Sequence, residues 1–353
     1  MKTKASYFIE KEGKAVQCIL CPHNCILKDG AVGICRVRQN NKGQLETINF
    51  GDITALAIDP IEKKPLYHFY PGTQILSVGT NGCNMSCKFC QNHHISQANS
   101  NSYFARSFSP EDIIDLAKRQ KDNIGIAFTY NEPSIFFEFL IETSKLAKIA
   151  GLKNVMISNG YINRKPLLEI LETIDAFNID LKAFNDKFYK KITKSKLQPV
   201  LETLKTINAQ EKHLEITHLV IPNLNDDPVE FEEMVKWISS ELSPWIPLHI
   251  SRYFPHFEVS YPPTPISTLL SFFEIAKQYL QHVYVGNAQN IEKSDTYCPN
   301  CKELLIEREF YNIDTVGLDP NGKCTHCHTP VIKNFKDNEN QTASRSRKVL
   351  PSQ

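Results

Sequence analysis

Eleven cysteines dominate the chemistry available to this 353-residue chain, and they fall into groups of four, three and four. The middle group, Cys83, Cys87 and Cys90, sits in Gly79-Thr80-Asn81-Gly82-Cys83-Asn84-Met85-Ser86-Cys87-Lys88-Phe89-Cys90-Gln91-Asn92. Three thiolates on one tight loop suffice for three irons of a 4Fe-4S cluster and leave the fourth iron without a protein ligand. Such an open position is where a cofactor or substrate binds, by the logic that separates catalytic from structural metal sites. A zinc or purely structural thiol cluster is the rival reading.

The flanking groups read differently. Cys298-Pro299-Asn300-Cys301 and Cys324-Thr325-His326-Cys327 are two Cys-x2-Cys knuckles separated by 22 residues, close to zinc-ribbon spacing. Four thiolates make a closed, structural zinc site; rubredoxin-like iron is the rival, and His326 and His328 lie near enough to compete as ligands. Cys18, Cys21, Cys25 and Cys35 put four thiols into 18 residues and also predict a metal, either zinc or a second, closed iron–sulfur cluster. A disulfide framework would leave an odd thiol over. The N-terminus lacks the apolar core of a signal peptide, and no apolar run approaches the roughly 18 residues of a membrane span. The expected location is therefore cytoplasmic, where thiols stay reduced, and no membrane partner is expected.

The elements that must position these groups come next. From residue 73, short apolar runs (74–79, 124–129, 153–158, 176–181, 214–221, 247–251, 282–285) alternate with helical patterns (110–121, 133–150, 164–173, 186–194, 197–207, 227–242, 266–280). Ser109 before Pro110 is an N-cap signal, and Gly151 a helix stop. The alternation predicts an α/β protein with a parallel sheet and right-handed crossovers, arranged as a closed or partial barrel or as an open doubly wound sheet. Cys83, Cys87 and Cys90 would then lie at the carboxyl end of the first strand, where βα folds carry their sites. Residues 44–72, broken by Asp59-Pro60 and Lys64-Pro65, read as a linker with a short strand or two. The expected division is 1–65 for an N-terminal four-cysteine module and linker, 66–290 for the core, 291–335 for a zinc-ribbon-like module and 336–353 for a disordered tail. With 40 basic and 39 acidic residues the net charge is +1, which argues against a nucleic-acid partner recruited by bulk charge.

The Cys-x3-Cys-x-aromatic-Cys loop, with Phe89 as the aromatic, resembles the radical S-adenosylmethionine (SAM) superfamily, in the branch similar to pyruvate formate-lyase activating enzyme. The resemblance implies a partial (β/α)6 TIM-like barrel holding a 4Fe-4S cluster at Cys83, Cys87 and Cys90. It implies that S-adenosyl-L-methionine chelates the open iron, that an electron from a donor such as a flavodoxin or ferredoxin cleaves it, and that the 5'-deoxyadenosyl radical abstracts hydrogen from an unknown substrate. Thr129-Tyr130-Asn131-Glu132-Pro133 resembles the family's Gly-Gly-Glu-Pro segment, with Tyr130 and Asn131 in place of the glycines, so backbone acceptors and Glu132 would contact the methionyl amine. Ser158-Asn159-Gly160 resembles the Thr-Asn-Gly turn, placing Asn159 near the ribose. Asp180-Leu181-Lys182 puts Asp180 and Lys182 on one strand face, with Lys182 opposite the methionyl carboxylate. His249 resembles a cofactor- or substrate-facing histidine, and Arg252 and Tyr253 are candidates for reading the substrate.

Over nearly the whole length to residue 335 the chain resembles the AmmeMemoRadiSam system radical SAM enzyme family. The telling segments are 18–25, Asp59-Pro60-Ile61-Glu62-Lys63-Lys64-Pro65-Leu66-Tyr67-His68-Phe69, the cluster loop and the terminal ribbon. That likeness implies Memo-type and AMMECR-type proteins acting in trans. Three functions follow: a radical-forming oxidoreductase with its own substrate; an activase installing a glycyl radical on a partner enzyme; and a non-catalytic iron–sulfur and zinc scaffold or sensor.

Overall fold

The computed structural model describes residues 2–97, 105–288, 293–309 and 311–335. Its centre is an eight-stranded sheet of β1 (Ala55–Pro60), β2 (Gln74–Gly79), β3 (Asn123–Phe128), β4 (Lys153–Ser158), β5 (Ala176–Asp180), β6 (His213–Val220), β7 (Leu248–Arg252) and β8 (Val283–Gly286). The strands stand in unbroken sequence order. Strands β2 to β8 pair in parallel, and β1 runs antiparallel along β2. A doubly wound sheet reverses its order at a switch point; this one never does.

The connecting helices are α1 (Pro110–Arg119), α2 (Phe137–Ile149), α3 (Arg164–Leu171), α4 (Leu197–Ala209), α5 (Pro228–Trp237) and α6 (Ile266–Lys277). Local chemistry explains their limits. Ser109 Oγ accepts the amide of Asp112 at 3.1 Å while the Asp112 carboxylate accepts the amide of Ser109 at 2.8 Å, a reciprocal cap that opens α1. Gly151 follows α2 at φ 76°, the left-handed turn that ends helices. The apolar stripe of α1 (Ile113, Ile114, Ala117) is buried in the main core.

One stretch differs from the sequence reading. Residues 44–72 are less a linker than part of the core: 55–60 form the antiparallel edge strand, which makes the sheet mixed rather than wholly parallel. Pro60 is tolerated because it ends an edge strand. The chain then crosses beneath the amino ends of the strands as a floor. Ile61, Leu66, Phe69 and Tyr70 pack there against Ile75, Ala127, Val155 and Ala176. The boundary expected at residue 65 therefore falls inside this floor.

Two small modules flank the sheet. Residues 3–47 form two three-stranded sheets, docked through Arg38, whose buried guanidinium donates to both carboxylate oxygens of Glu138 at 2.8 Å. Strands Thr296–Tyr297, Leu304–Glu309 and Asn312–Asp314 build the other, around Cys298, Leu305, Ile306, Cys324, Ile332 and Phe335. The tail expected over 336–353 lies outside the described residues. Among the described residues no helix is long and apolar enough to cross a membrane.

Candidate functional site

The loop after β2 is held from three sides. Asn131 accepts the amide of Thr80 at 3.3 Å and donates to the carbonyl of Gly82 at 2.6 Å. On the far side the amides of Ser86 and Lys88 donate to the carbonyls of Thr193 and Ile192 at 2.9 and 3.2 Å. Gly82, at φ 86°, admits no side chain, because a Cβ there would lie 2.5 Å from the carbonyl oxygen of Cys35. Phe89 is buried beside Phe188, with the ammonium of Lys182 5.9 Å from its ring.

The sulfurs sit among polar neighbours. Cys83 Sγ accepts the amide of Met85 at 3.3 Å and faces the Asn159 amide nitrogen at 3.7 Å; Cys90 Sγ is 3.2 Å from Ser96 Oγ. Burial pushes the Cys87 thiol up to about 12 although the charge of Lys182 opposes it, and burial raises Cys83 as well. These thiols therefore ionise when a metal takes the place of their protons. The buried Asn81 Nδ2 in the same loop has no protein acceptor. Three soft sulfur donors and a spare amide donor on one loop suit an iron–sulfur cluster with its inorganic sulfides.

Of the other residues singled out, some converge on this loop. Lys182 Nζ donates to Asp180 Oδ2 at 2.8 Å. Burial opposes the charge on Lys182, but Asp180 and then Cys87 outweigh it and hold its pKa above the ordinary range. Asn159 bridges Cys83 Sγ and Asn84 Oδ1, the latter at 2.9 Å. Glu132 is close behind Cys83 but already engaged: its carboxylate accepts from the amides of Ser134 (3.0 Å) and Asn159 (2.8 Å) and from Ser158 Oγ (2.8 Å). It locks the turns after β3 and β4 to each other. Tyr130 takes φ 73°, a glycine-like conformation, and its hydroxyl turns to Asp59 at 2.9 Å.

Others lie elsewhere. His249 belongs to the floor: its Nε2 meets Glu215 Oε2 at 2.6 Å and its ring stands edge-on to Tyr67. Glu215 also accepts the amides of Tyr67 and His68 at 3.0 and 2.8 Å. Arg252 donates to the carbonyl of Thr264, and the Tyr253 hydroxyl to that of Val259. Sequence reasoning missed Asn84, whose amide group spans Asn159 and the carbonyl of Tyr161, and His23, which donates to the carbonyl of Asn84 at 2.7 Å. Their place between cysteines was the signal available.

The two four-cysteine groups differ in geometry. Cys298, Cys301, Cys324 and Cys327 have all four sulfurs within 4.8 Å of one another, with pairs at 3.5 and 3.6 Å. This set suits one tetrahedral ion. Cys18, Cys21, Cys25 and Cys35 instead line a narrow recess with a free volume of about 10 Å3.

The chain is similar to several known proteins. Residues 77–238 match the family model of the Radical SAM superfamily, a span that contains Cys83, Cys87 and Cys90. An uncharacterised protein of Methanocaldococcus jannaschii is 42% identical over 327 residues, covering 92% of this chain and 97% of that one. A pyruvate formate-lyase-activating enzyme of Listeria monocytogenes is 26% identical over 181 residues, 48% of this chain and 71% of the relative. A radical SAM methyltransferase from Sphaerobacter thermophilus superposes with a TM-score of 0.50 at 13% identity, over 67% of this chain and 71% of that structure, which speaks to fold alone.

Proposed function

The chain belongs to the radical SAM superfamily and is a radical SAM enzyme, and from that premise we propose that Cys83, Cys87 and Cys90 hold its 4Fe-4S cluster. When bound, cluster and S-adenosylmethionine supply the family's chemistry: one-electron cleavage to a 5'-deoxyadenosyl radical that takes a hydrogen atom from the substrate. The chain's own part is positional. The strands curl as a partial (β/α)6 barrel whose inner wall presents the substrate. Asn159 donates toward the Cys83 sulfur, and Glu132 fixes the turn that carries Asn159. Lys182, charged and steered by Asp180, offers an ammonium to the methionyl carboxylate. Tyr130 shapes the turn beside the loop through its backbone, Asn131 braces the loop through its side-chain amide, and the His249 imidazole acts from the floor through Glu215. Cys298, Cys301, Cys324 and Cys327 hold zinc.

The observation that carries this reading is the convergence of three thiols, Asn159 and the Asp180–Lys182 pair at the carboxyl ends of β2, β4 and β5. The test is anaerobic reconstitution, reduction and assay of 5'-deoxyadenosine. Wild type should form it and Cys87→Ala should not; equal product from both would overturn the assignment.

A second reading is favoured by the similarity to a pyruvate formate-lyase-activating enzyme. The hydrogen abstracted would then come from a glycine of a partner enzyme, and a doublet EPR signal on that partner after turnover would identify it. A flavodoxin or ferredoxin type donor serves either reading. The resemblance of 18–25 and 59–69 to the AmmeMemoRadiSam system enzymes further supports Memo-type and AMMECR-type partners.

A further inference from the structure

The N-terminal cysteines do not stand as thiols around a single ion. A tetrahedral zinc with Zn–S near 2.3 Å draws its sulfurs to about 3.8 Å from one another. The C-terminal four are in that state, with sulfur pairs at 3.5 and 3.6 Å. Among the described residues those four are the group of ligating side chains gathered within 4.8 Å. Cys18, Cys21, Cys25 and Cys35 surround a recess instead, walled by Leu20, Ile34 and Ile135. In a polynuclear cluster each thiolate takes its own iron, so the sulfurs stand apart and the inorganic core fills the space between them. Four thiols and an apolar wall supply what such a core needs, and Arg38, its charge paired with Glu138, closes one side of the recess.

The recess also touches the catalytic loop at both neighbours of one ligand. The carbonyl oxygen of Cys35 packs where the Cβ of residue 82 would be, and His23, which lines the recess, donates to the carbonyl of Asn84 at 2.7 Å. Cys83 lies between Gly82 and Asn84. On the outer side, Cys25 is partly exposed and Ile34 is 47% exposed, so the recess reaches solvent. Up to Leu45 the chain carries eight basic and three acidic residues against a net +1 overall, which favours an acidic visitor there.

We propose that Cys18, Cys21, Cys25 and Cys35 bind a second, closed iron–sulfur cluster that passes single electrons to the cluster carried by Cys83. The relay rests on the reading given under Proposed function; the second site itself does not. One electron enters from an acidic one-electron carrier of the flavodoxin or ferredoxin class and reduces the closed cluster by one unit. It leaves for the open cluster, and the closed cluster returns to its starting state with no bond made or broken.

The test uses the full chain, reconstituted anaerobically with iron and sulfide. Wild type should hold about eight irons, and Cys83→Ala/Cys87→Ala/Cys90→Ala about four, with a reduced EPR signal that S-adenosylmethionine leaves unchanged. A triple variant with no iron and two zinc ions per chain would overturn the second site. A wild type with no more iron than the triple variant would instead sink the Cys83 assignment. For the relay, Cys21→Ala/Cys25→Ala should keep an EPR signal that responds to S-adenosylmethionine, which also reports folding. Its 5'-deoxyadenosine formation should fall tenfold or more with reduced flavodoxin and at most twofold with dithionite, which reaches the open cluster directly. Equal losses with both reductants, or none with flavodoxin, would overturn it.

Discussion

The two ends of the sheet surround their polar groups differently, although each holds a few buried atoms without a partner, Glu62 Oε2, His282 Nε2 and Arg308 Nε at the amino end among them. At the amino end, the floor buries Glu215 among four donors: two backbone amides, His213 at 2.9 Å and His249 at 2.6 Å. His68 continues the network to Tyr284, which meets Thr296, and Arg308 of the C-terminal module donates to Thr296 and to the carbonyl of Tyr67. At the carboxyl end, three thiols have only weak polar neighbours such as the Met85 amide and Ser96 Oγ, the Asn81 amide nitrogen has no protein acceptor, and Asp180 keeps about a third of its side-chain surface exposed. A buried polar group that is fully paired stabilises a fold; one left with spare valence at a cleft points to a ligand.

The sharpest way to break this contrast is to remove one group from each end. Cys87→Ala should abolish 5'-deoxyadenosine formation while leaving the thermal unfolding of the metal-depleted chain within a few degrees of wild type. Glu215→Ala should do the reverse. Stripping the carboxylate from a fully buried cluster leaves its donors unpaired, at a cost of about 3–5 kcal/mol. Denaturant titration measures that loss. A Glu215→Ala protein of wild-type stability would end the structural reading of the floor.

Acid should attack the same end. Burial first, then the charge of Lys277, holds His282 down at about 3, and burial lowers His68 well below its ordinary value. Groups whose folded pKa is depressed contribute stability that is fully present above the unfolded value near 6.5. That contribution is lost as pH falls below it, because the unfolded chain takes up the proton first. Glu215 has the same sign: burial alone would raise it, but His213 and His249 hold it well below the usual carboxylate range, so its share goes below about pH 4.5. Between pH 7.5 and 5, His282 alone should cost about 2 kcal/mol. Unfolding curves at the two pH values check this, and His282→Asn should flatten the dependence.

Much of this architecture was legible beforehand, for physical reasons. Helix limits such as Ser109-Pro110 and Gly151 are set by local backbone chemistry, so a short window of residues contains the answer. Asp180 and Lys182 do meet, but Lys182 lies two residues past the end of β5, so strand alternation alone does not account for the pair. The floor was not legible, because its order comes from partners such as Glu215, which holds Tyr67 from 148 residues away. His249 went astray for the same reason: its neighbours along the strand do not reveal that Glu215 has claimed it. Spacing identified both four-cysteine groups. It does not encode whether the thiols close on one ion or stand around a larger core, since that depends on the walls other segments provide.

A smaller effect sharpens the carboxyl end. Lys182→Ala removes the charge proposed to face the methionyl carboxylate and leaves Asp180 uncompensated. A charge-assisted hydrogen bond is worth about 1.5–3 kcal/mol, which corresponds to roughly a ten- to hundredfold weaker affinity for S-adenosylmethionine. Iron content should stay at the wild-type level, because Lys182 touches no sulfur within hydrogen-bond distance. The shift of the cluster's EPR signal with increasing S-adenosylmethionine measures the affinity directly. Unchanged affinity would make Asp180–Lys182 a structural pair like those of the floor.

Tyr130 spans the two ends and gives the smallest change. Its backbone lies at the carboxyl end of β3, where Asn92 donates to its carbonyl, yet its hydroxyl donates to Asp59 and its ring lies 4.8 Å from Lys64 at the edge of the floor. Its φ of 73° costs about 1 kcal/mol relative to glycine, and these contacts offset that strain. Tyr130→Phe keeps the ring over Lys64 and removes one hydrogen bond from a carboxylate that both Lys63 and Lys64 still hold at 2.7 Å. The expected loss is about 1 kcal/mol of stability, with cluster content and the response to S-adenosylmethionine unchanged. If the variant instead keeps its stability and loses that response, the phenol belongs to the reactive end, and the line between the two ends must be drawn below Asp59.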